Sequence, residues 1–154
     1  MQTAAAVNTL DEPLPLILIV DADPDTRLLY RTVLADVAAM VVEAADGAEA
    51  FGKAICQRPD VILTETRLGR IDGYTLCSYL RSDRTTRSSA IVVVTSAAHP
   101  AEIARATRAG ADEVIVKPCL PEAVVEAAYR SWRRRRAWDG ASEELLLESS
   151  AAGQ

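Results

Sequence analysis

Five short apolar runs recur along the chain, at Leu16 to Val20, Met40 to Val42, Val61 to Leu63, Ile91 to Val94 and Val114 to Val116, with helix-length segments between them. Runs this short suit strands better than helices. Several are continuous rather than alternating, so the strands are expected to be buried on both faces, as in a parallel sheet with helices on each side. The expected class is α/β, a doubly wound sheet of five βα units.

The intervening segments carry helix signals. Asp23 is placed to cap a first helix with Pro24 at its first position, and Leu29, Val33 and Val37 recur at i, i+4 spacing. Asp46 and Glu49 form a capping box for a second. Asp72-Gly73 opens a third helix with Leu76 and Leu80 inward, Pro100 opens a fourth that Gly110 ends, and Pro121 opens a fifth with Val124, Ala128 and Trp132 in one stripe. Arg133 to Arg136 is expected in the last turn of that helix, where cations complement the dipole.

The folded domain is therefore expected over residues 16–137, after a disordered leader, 1–15, that lacks the basic start of a signal peptide. Residues 138–154 read as a tail in which Asp139-Gly140 breaks the helix and the stretch from Glu143 to Glu148 is one short amphipathic segment.

Composition narrows the function classes. A net charge of -5, from 17 basic and 22 acidic residues, argues against a general nucleic-acid or membrane coat, and Arg133 to Arg136 is read as a solvated helix end rather than a nucleic-acid patch. No apolar run approaches the roughly 20 residues that cross a bilayer. Cys56, Cys77 and Cys119 are odd in number and far apart, which suggests neither a disulfide framework nor a metal site and fits a cytoplasmic location. His99 has no second ligand at metal spacing and reads as a solvated loop residue.

In an open doubly wound sheet, ligands gather at the carboxyl ends of the strands. There the chain has Asp21, Ala22 and Asp23 after the first run, Glu65 after the third, Thr95 and Ser96 after the fourth, and Lys117 and Pro118 after the fifth. Acids, a hydroxyl and a lysine converging on one edge suit a phosphoryl group and its cation.

Over about Leu16 to Arg134 the chain resembles the response-regulator receiver family. The resemblance lies in Ile17-Leu18-Ile19-Val20-Asp21, Glu43-Ala44-Ala45-Asp46-Gly47-Ala48-Glu49-Ala50, Arg58-Pro59-Asp60, Ala109-Gly110-Ala111-Asp112 and Lys117-Pro118. It implies a five-stranded parallel sheet, flavodoxin-like, of order 2-1-3-4-5, and a non-enzymatic module of phosphorelay (two-component) signalling. It also implies Asp21 as one of the paired metal-site acids, Thr95 as the switch hydroxyl and Lys117 as the phosphate-contacting lysine.

Two departures from the family pattern fall in the pocket itself. Glu65 stands where the family has its phosphoaccepting aspartate, and Ala22 replaces the second metal-site acid. The extra methylene advances the carboxylate by about 1 Å, and misplacement of that size can cost about a hundredfold in a positioned reaction. Losing an oxygen ligand weakens a Mg²⁺ site that demands near-octahedral geometry, so no cofactor is expected to be required. Gly69-Arg70 replaces the family's Pro-Gly, and Val114 occupies its aromatic switch position.

The expectation is a stand-alone receiver acting as a phosphorylation-independent interaction module, with Glu65 and Lys117 as a permanent ion pair. Its expected partners are signalling proteins such as a histidine kinase or another regulator, and the resemblance adds homodimerisation through the helix 4, strand 5, helix 5 face. The plainer alternative is a remnant salt-bridged cluster that only stabilises strand ends. Two further readings are phosphorylation at Asp21 or Asp23, and a haloacid-dehalogenase-like phosphatase using Asp21. The phosphatase needs a later acidic pair, and after Lys117 the domain has only Glu122 and Glu126, both in the predicted fifth helix.

Overall fold

A computed structural model describes residues 13–153 and shows five parallel strands, each followed by a helix. The strands are β1 (Leu16–Val20), β2 (Met40–Ala44), β3 (Val61–Thr64), β4 (Ala90–Thr95) and β5 (Glu113–Val116). The helices are α1 (Pro24–Leu34), α2 (Gly47–Gln57), α3 (Gly73–Ser82), α4 (Pro100–Ala109) and α5 (Pro121–Ala151). The sheet order is β2-β1-β3-β4-β5, as expected.

Side-chain alternation along the strands divides the interior into two layers. Ile17, Ile19, Val61, Leu63, Val92 and Val94 face α1 and α5, against Tyr30, Leu34, Val124, Ala128 and Trp132. Leu18, Val20, Ile62, Ile91 and Val93 face α2, α3 and α4, against Ala54, Leu76, Leu80 and Ala106. Each fully buried aliphatic side chain contributes about 1.5–3 kcal/mol, which is why β1, β3 and β4 read as continuous apolar runs.

The caps follow the sequence signals. Asp23 accepts from the Asp25 N–H at 3.1 Å, Asp46 from the Glu49 N–H at 2.9 Å and Asp72 from the Thr75 N–H at 2.7 Å. Glu49 reaches back to the Ala45 N–H at 3.1 Å. Gly110 ends α4 with φ of 126°, a value that side chains rarely adopt. His99 is exposed in the loop just before α4, as expected, and also caps that helix, accepting from the Ala101 N–H through Nδ1 at 3.2 Å.

Three expectations are corrected. Leu29 is exposed, because the inward face of α1 is set by Tyr30 and Leu34, with Val33 and Val37 packed at its edge. The α5 helix does not stop near Ala137: it is 31 residues long and runs through Asp139-Gly140 into the segment expected to be a tail. A glycine inside a helix costs only about 1 kcal/mol relative to alanine, so a single Asp-Gly need not break one.

Arg133 to Arg136 therefore lies within α5, not in its last turn, and strand acids and ring faces hold it instead of the dipole. Arg135 pairs with Asp112 at 2.6 Å, Arg134 with Glu113 at 3.6 Å, and Arg136 lies over the Trp132 ring at 4.9 Å. The expected leader falls largely outside the described residues, and 13–15 carry neither helix nor strand. Among the described residues no helix is long and apolar enough to cross a membrane.

Candidate functional site

The sheet's hydrogen bonding continues one residue past the strands and so fixes where the site residues begin. The Asp21 N–H donates to Ala44 O at 3.2 Å, that of Glu65 to Val20 O at 3.0 Å, and that of Lys117 to Thr95 O at 2.8 Å. β1 lies between β2 and β3, so the chain leaves it in opposite directions and a crevice opens at its carboxyl end.

In that crevice Asp21, Glu65 and Lys117 meet. The Lys117 ammonium is 3.0 Å from Glu65 Oε2 and 3.3 Å from Asp21 Oδ2, bridging the two carboxylates. Glu65 Oε1 accepts from the Thr66 N–H at 2.7 Å and the Thr66 hydroxyl at 3.1 Å. The Thr66 and Thr95 hydroxyls share a hydrogen bond of 2.8 Å, and Thr95 Oγ1 accepts from the Ala97 N–H at 3.1 Å. An unbroken polar chain thus joins the end of β5, through Glu65, to the loop after β4. Asp21, Glu65, Thr66 and Thr95 are all buried, and none has an unsatisfied buried side-chain atom.

The electrostatics reinforce this geometry. Burial pushes the Glu65 carboxyl upward, but the Thr95 hydroxyl, the Thr66 N–H and the Lys117 ammonium outweigh it and hold the group below the usual carboxylate range. Burial works against the charge on Lys117 as well, and Glu65 and Asp21 overcome it and raise the ammonium above its ordinary value. Both partners are therefore held in their charged forms.

The remaining acid, Asp23, serves the helix, as its capping position suggests. Its oxygens take the Thr26 hydroxyl at 2.7 Å and the Asp25 N–H at 3.1 Å, and these bonds hold its carboxyl below the usual range. Asp21 Oδ1 accepts from the Asp23 N–H at 2.9 Å. Ala22 offers no side-chain oxygen, and among the described residues no group of three His, Cys, Asp or Glu side chains is placed to hold a metal. The two carboxylates that face the crevice, Asp21 and Glu65, are bridged by the Lys117 ammonium.

Two contributors were missed in the sequence. Thr66 links Glu65 to Thr95, and its only sequence signal is a hydroxyl next to the substituted position. Arg27 donates to the Asp21 carbonyl at 2.7 Å while pairing with Glu43 at 3.2 Å, which anchors the backbone turn after β1. Its signal is its position one turn into the helix that follows Asp21. The Val114 position, where the family has an aromatic, packs at the edge of the α2, α3, α4 layer.

A family model described as the response regulator receiver domain matches residues 17–129. The chain belongs to the response-regulator receiver family. Response regulator MprA of Mycolicibacterium vanbaalenii is 32% identical over 134 residues, covering 87% of this chain and 57% of its own. The DNA-binding dual master transcriptional regulator RpaA of Synechocystis is 30% identical over 122 residues, covering 79% and 50%. The chain thus spans about half the length of these curated relatives. The chemotaxis protein CheY4 of Vibrio cholerae superimposes with a TM-score of 0.72 at 27% identity, covering 77% of this chain and 99% of that one. Receiver domains are generally non-enzymatic modules of two-component signalling that interact with histidine kinases and other signalling proteins, and this chain carries such a domain.

Proposed function

We propose that this receiver works as a protein-interaction module whose state does not depend on phosphorylation, and that it needs no bound Mg²⁺. The observation carrying this is the Lys117 ammonium bridging Glu65 and Asp21. In the family pattern a lysine and a hydroxyl answer to charge added at the phosphoaccepting aspartate. Here Glu65 supplies a fixed charge at that position, and Thr66 passes it to Thr95. The loop after β4 is thereby held in one arrangement by residues alone.

Charge-assisted hydrogen bonds in a largely buried site are the stronger kind, about twice a neutral one. With Oε1 taking two donors and Oε2 a third, the Glu65 carboxylate is turned toward its neighbours rather than toward an incoming phosphoryl donor. The partner classes follow from the family: a histidine kinase or a second regulator, recognised through the exposed faces.

Amide NMR of the Thr95–Ala97 loop tests this. Adding Mg²⁺ with beryllofluoride, a phosphoryl mimic, should leave those resonances unmoved, whereas Glu65→Gln should shift them. A beryllofluoride response in the unaltered protein contradicts the proposal.

A further inference from the structure

Beyond Ala137, α5 leaves the domain and continues for about another 20 Å at 1.5 Å per residue. This projection carries Trp138, Leu145, Leu146 and Leu147, all about 70% exposed. A helix of this length surrounded by water is marginal, and Gly140 lowers its stability further. Something that covers it would account for its persistence.

At helical spacing Arg130, Arg134, Ala137, Ala141, Glu144 and Glu148 fall on one stripe. That stripe lies opposite the face on which Val124, Ala128 and Trp132 are buried, and each of its members is exposed. In chain order it reads cation, cation, small, small, anion, anion. It is therefore complementary to itself when reversed.

We propose that two copies of this chain associate through α5, antiparallel along this stripe, with a twofold axis passing between Ala137 and Ala141. Arg130 then faces Glu148 of the second copy, Arg134 faces Glu144, and the symmetry repeats both pairs. Ala137 meets Ala141 at the crossing, where small side chains let the helices approach. A parallel arrangement sets like charges opposite one another and is disfavoured.

The cations on the stripe are only partly neutralised within the chain. Glu113 faces both Arg130, at 2.6 Å, and Arg134, at 3.6 Å, so one carboxylate answers two guanidinium groups. Among the described residues no cation pairs with Glu144 or Glu148. The stripe is confined to α5, from Arg130 on the domain to Glu148 on the projection, and includes no residue of α4 or β5, unlike the α4, β5 and α5 face that the family resemblance suggests.

Sedimentation and light scattering should give twice the 16.6 kDa chain mass for the unaltered protein, and the mass should fall toward monomer as salt is raised. The variant Glu144→Arg with Glu148→Arg, altered only beyond the domain, should be monomeric, with a circular dichroism spectrum that loses only the helical signal of the uncovered projection and a domain melting transition that is kept. Oxidative cross-linking fixes the direction, in a background of Cys56→Ser and Cys119→Ser. A mixture of Ala137→Cys and Ala141→Cys chains should form the disulfide, and Glu148→Cys alone should not. A monomeric unaltered protein, a dimer that survives the charge reversal, or cross-linking of Glu148→Cys to itself would each overturn the proposal.

Discussion

Glu65 Oε2 and the Lys117 ammonium stand 3.0 Å apart across the end of the sheet, although 52 positions separate them in the chain. The separation is closed by β3 and β5 ending on the same edge, with β4 between them. The pair is a product of topology, and Asp21 at 3.3 Å makes it a triad with one negative charge in excess.

Removing the cation should be the more damaging change at this site. Lys117→Ala leaves two largely buried carboxylates without their counter-charge and is expected to cost about 2 kcal/mol, less than a fully buried pair because the lysine is partly exposed. Glu65→Gln keeps the donors partly satisfied and should cost about 1 kcal/mol. Urea unfolding of both variants checks the order.

The pH dependence follows from the shifts. The Glu65 carboxyl is held below its ordinary value of 4.5 in the folded chain, so its stabilisation is present above that value and is lost as pH falls through the lower, folded value. Lys117 is raised above 10.5, so its contribution is complete below that value and is lost as pH rises through the higher, folded value. Melting curves against pH should show both flanks, and Glu65→Gln should flatten the acidic one.

Gly73 sits where a side chain cannot. A Cβ there would run into the Glu65 carbonyl oxygen and lie 2.7 Å from Thr66 Cα, both backbone atoms at the site. Gly73→Ala should destabilise the domain by about 2 kcal/mol, in the range for overpacking. It should also shift the Glu65 and Thr66 amide resonances more than those of β2.

A second polar hub holds the opposite end of the sheet. Arg81 donates to Gly110 O at 2.9 Å, Ser89 O at 2.6 Å and Asp112 Oδ2 at 2.9 Å, and the same Asp112 oxygen accepts from the Ile91 N–H at 2.8 Å. Arg81→Ala should cost about 3 kcal/mol, since it removes several charge-assisted bonds in a half-buried place. Thermal unfolding measures it, and an effect confined to the spread of surface substitutions would contradict the assignment.

The architecture was legible because parallel strands buried on both faces leave continuous apolar runs, and capping residues mark helix starts whatever packs around them. Asp21, Thr95 and Lys117 could be placed because each directly follows or ends such a run. The share of Thr66 could not, since its partners Glu65 and Thr95 meet it only after β3 and β4 align. The length of α5 was hidden for a different reason. Asp139-Gly140 is a local stop signal of about 1 kcal/mol, weak enough for the flanking helical residues to carry the backbone through. The setting of Arg133 to Arg136 was hidden too: its counter-charges, Asp112 and Glu113, stand at the start of β5, about 20 positions earlier, and meet α5 only once the sheet is formed.

If Glu65 and Ala22 are what prevent phosphotransfer, restoring the family residues should restore it. Glu65→Asp with Ala22→Asp should bind Mg²⁺ by calorimetry and take up phosphate from acetyl phosphate, with a label that hydroxylamine releases, as it does from an acyl phosphate.

The most direct test is intact mass spectrometry of the unaltered protein after incubation with acetyl phosphate and Mg²⁺. No gain of a phosphoryl group is expected under conditions in which the doubly restored variant is labelled. A stoichiometric gain in the unaltered protein, mapped to Glu65, Asp21 or Asp23, would contradict it and return this chain to the phosphorylated switches of its family.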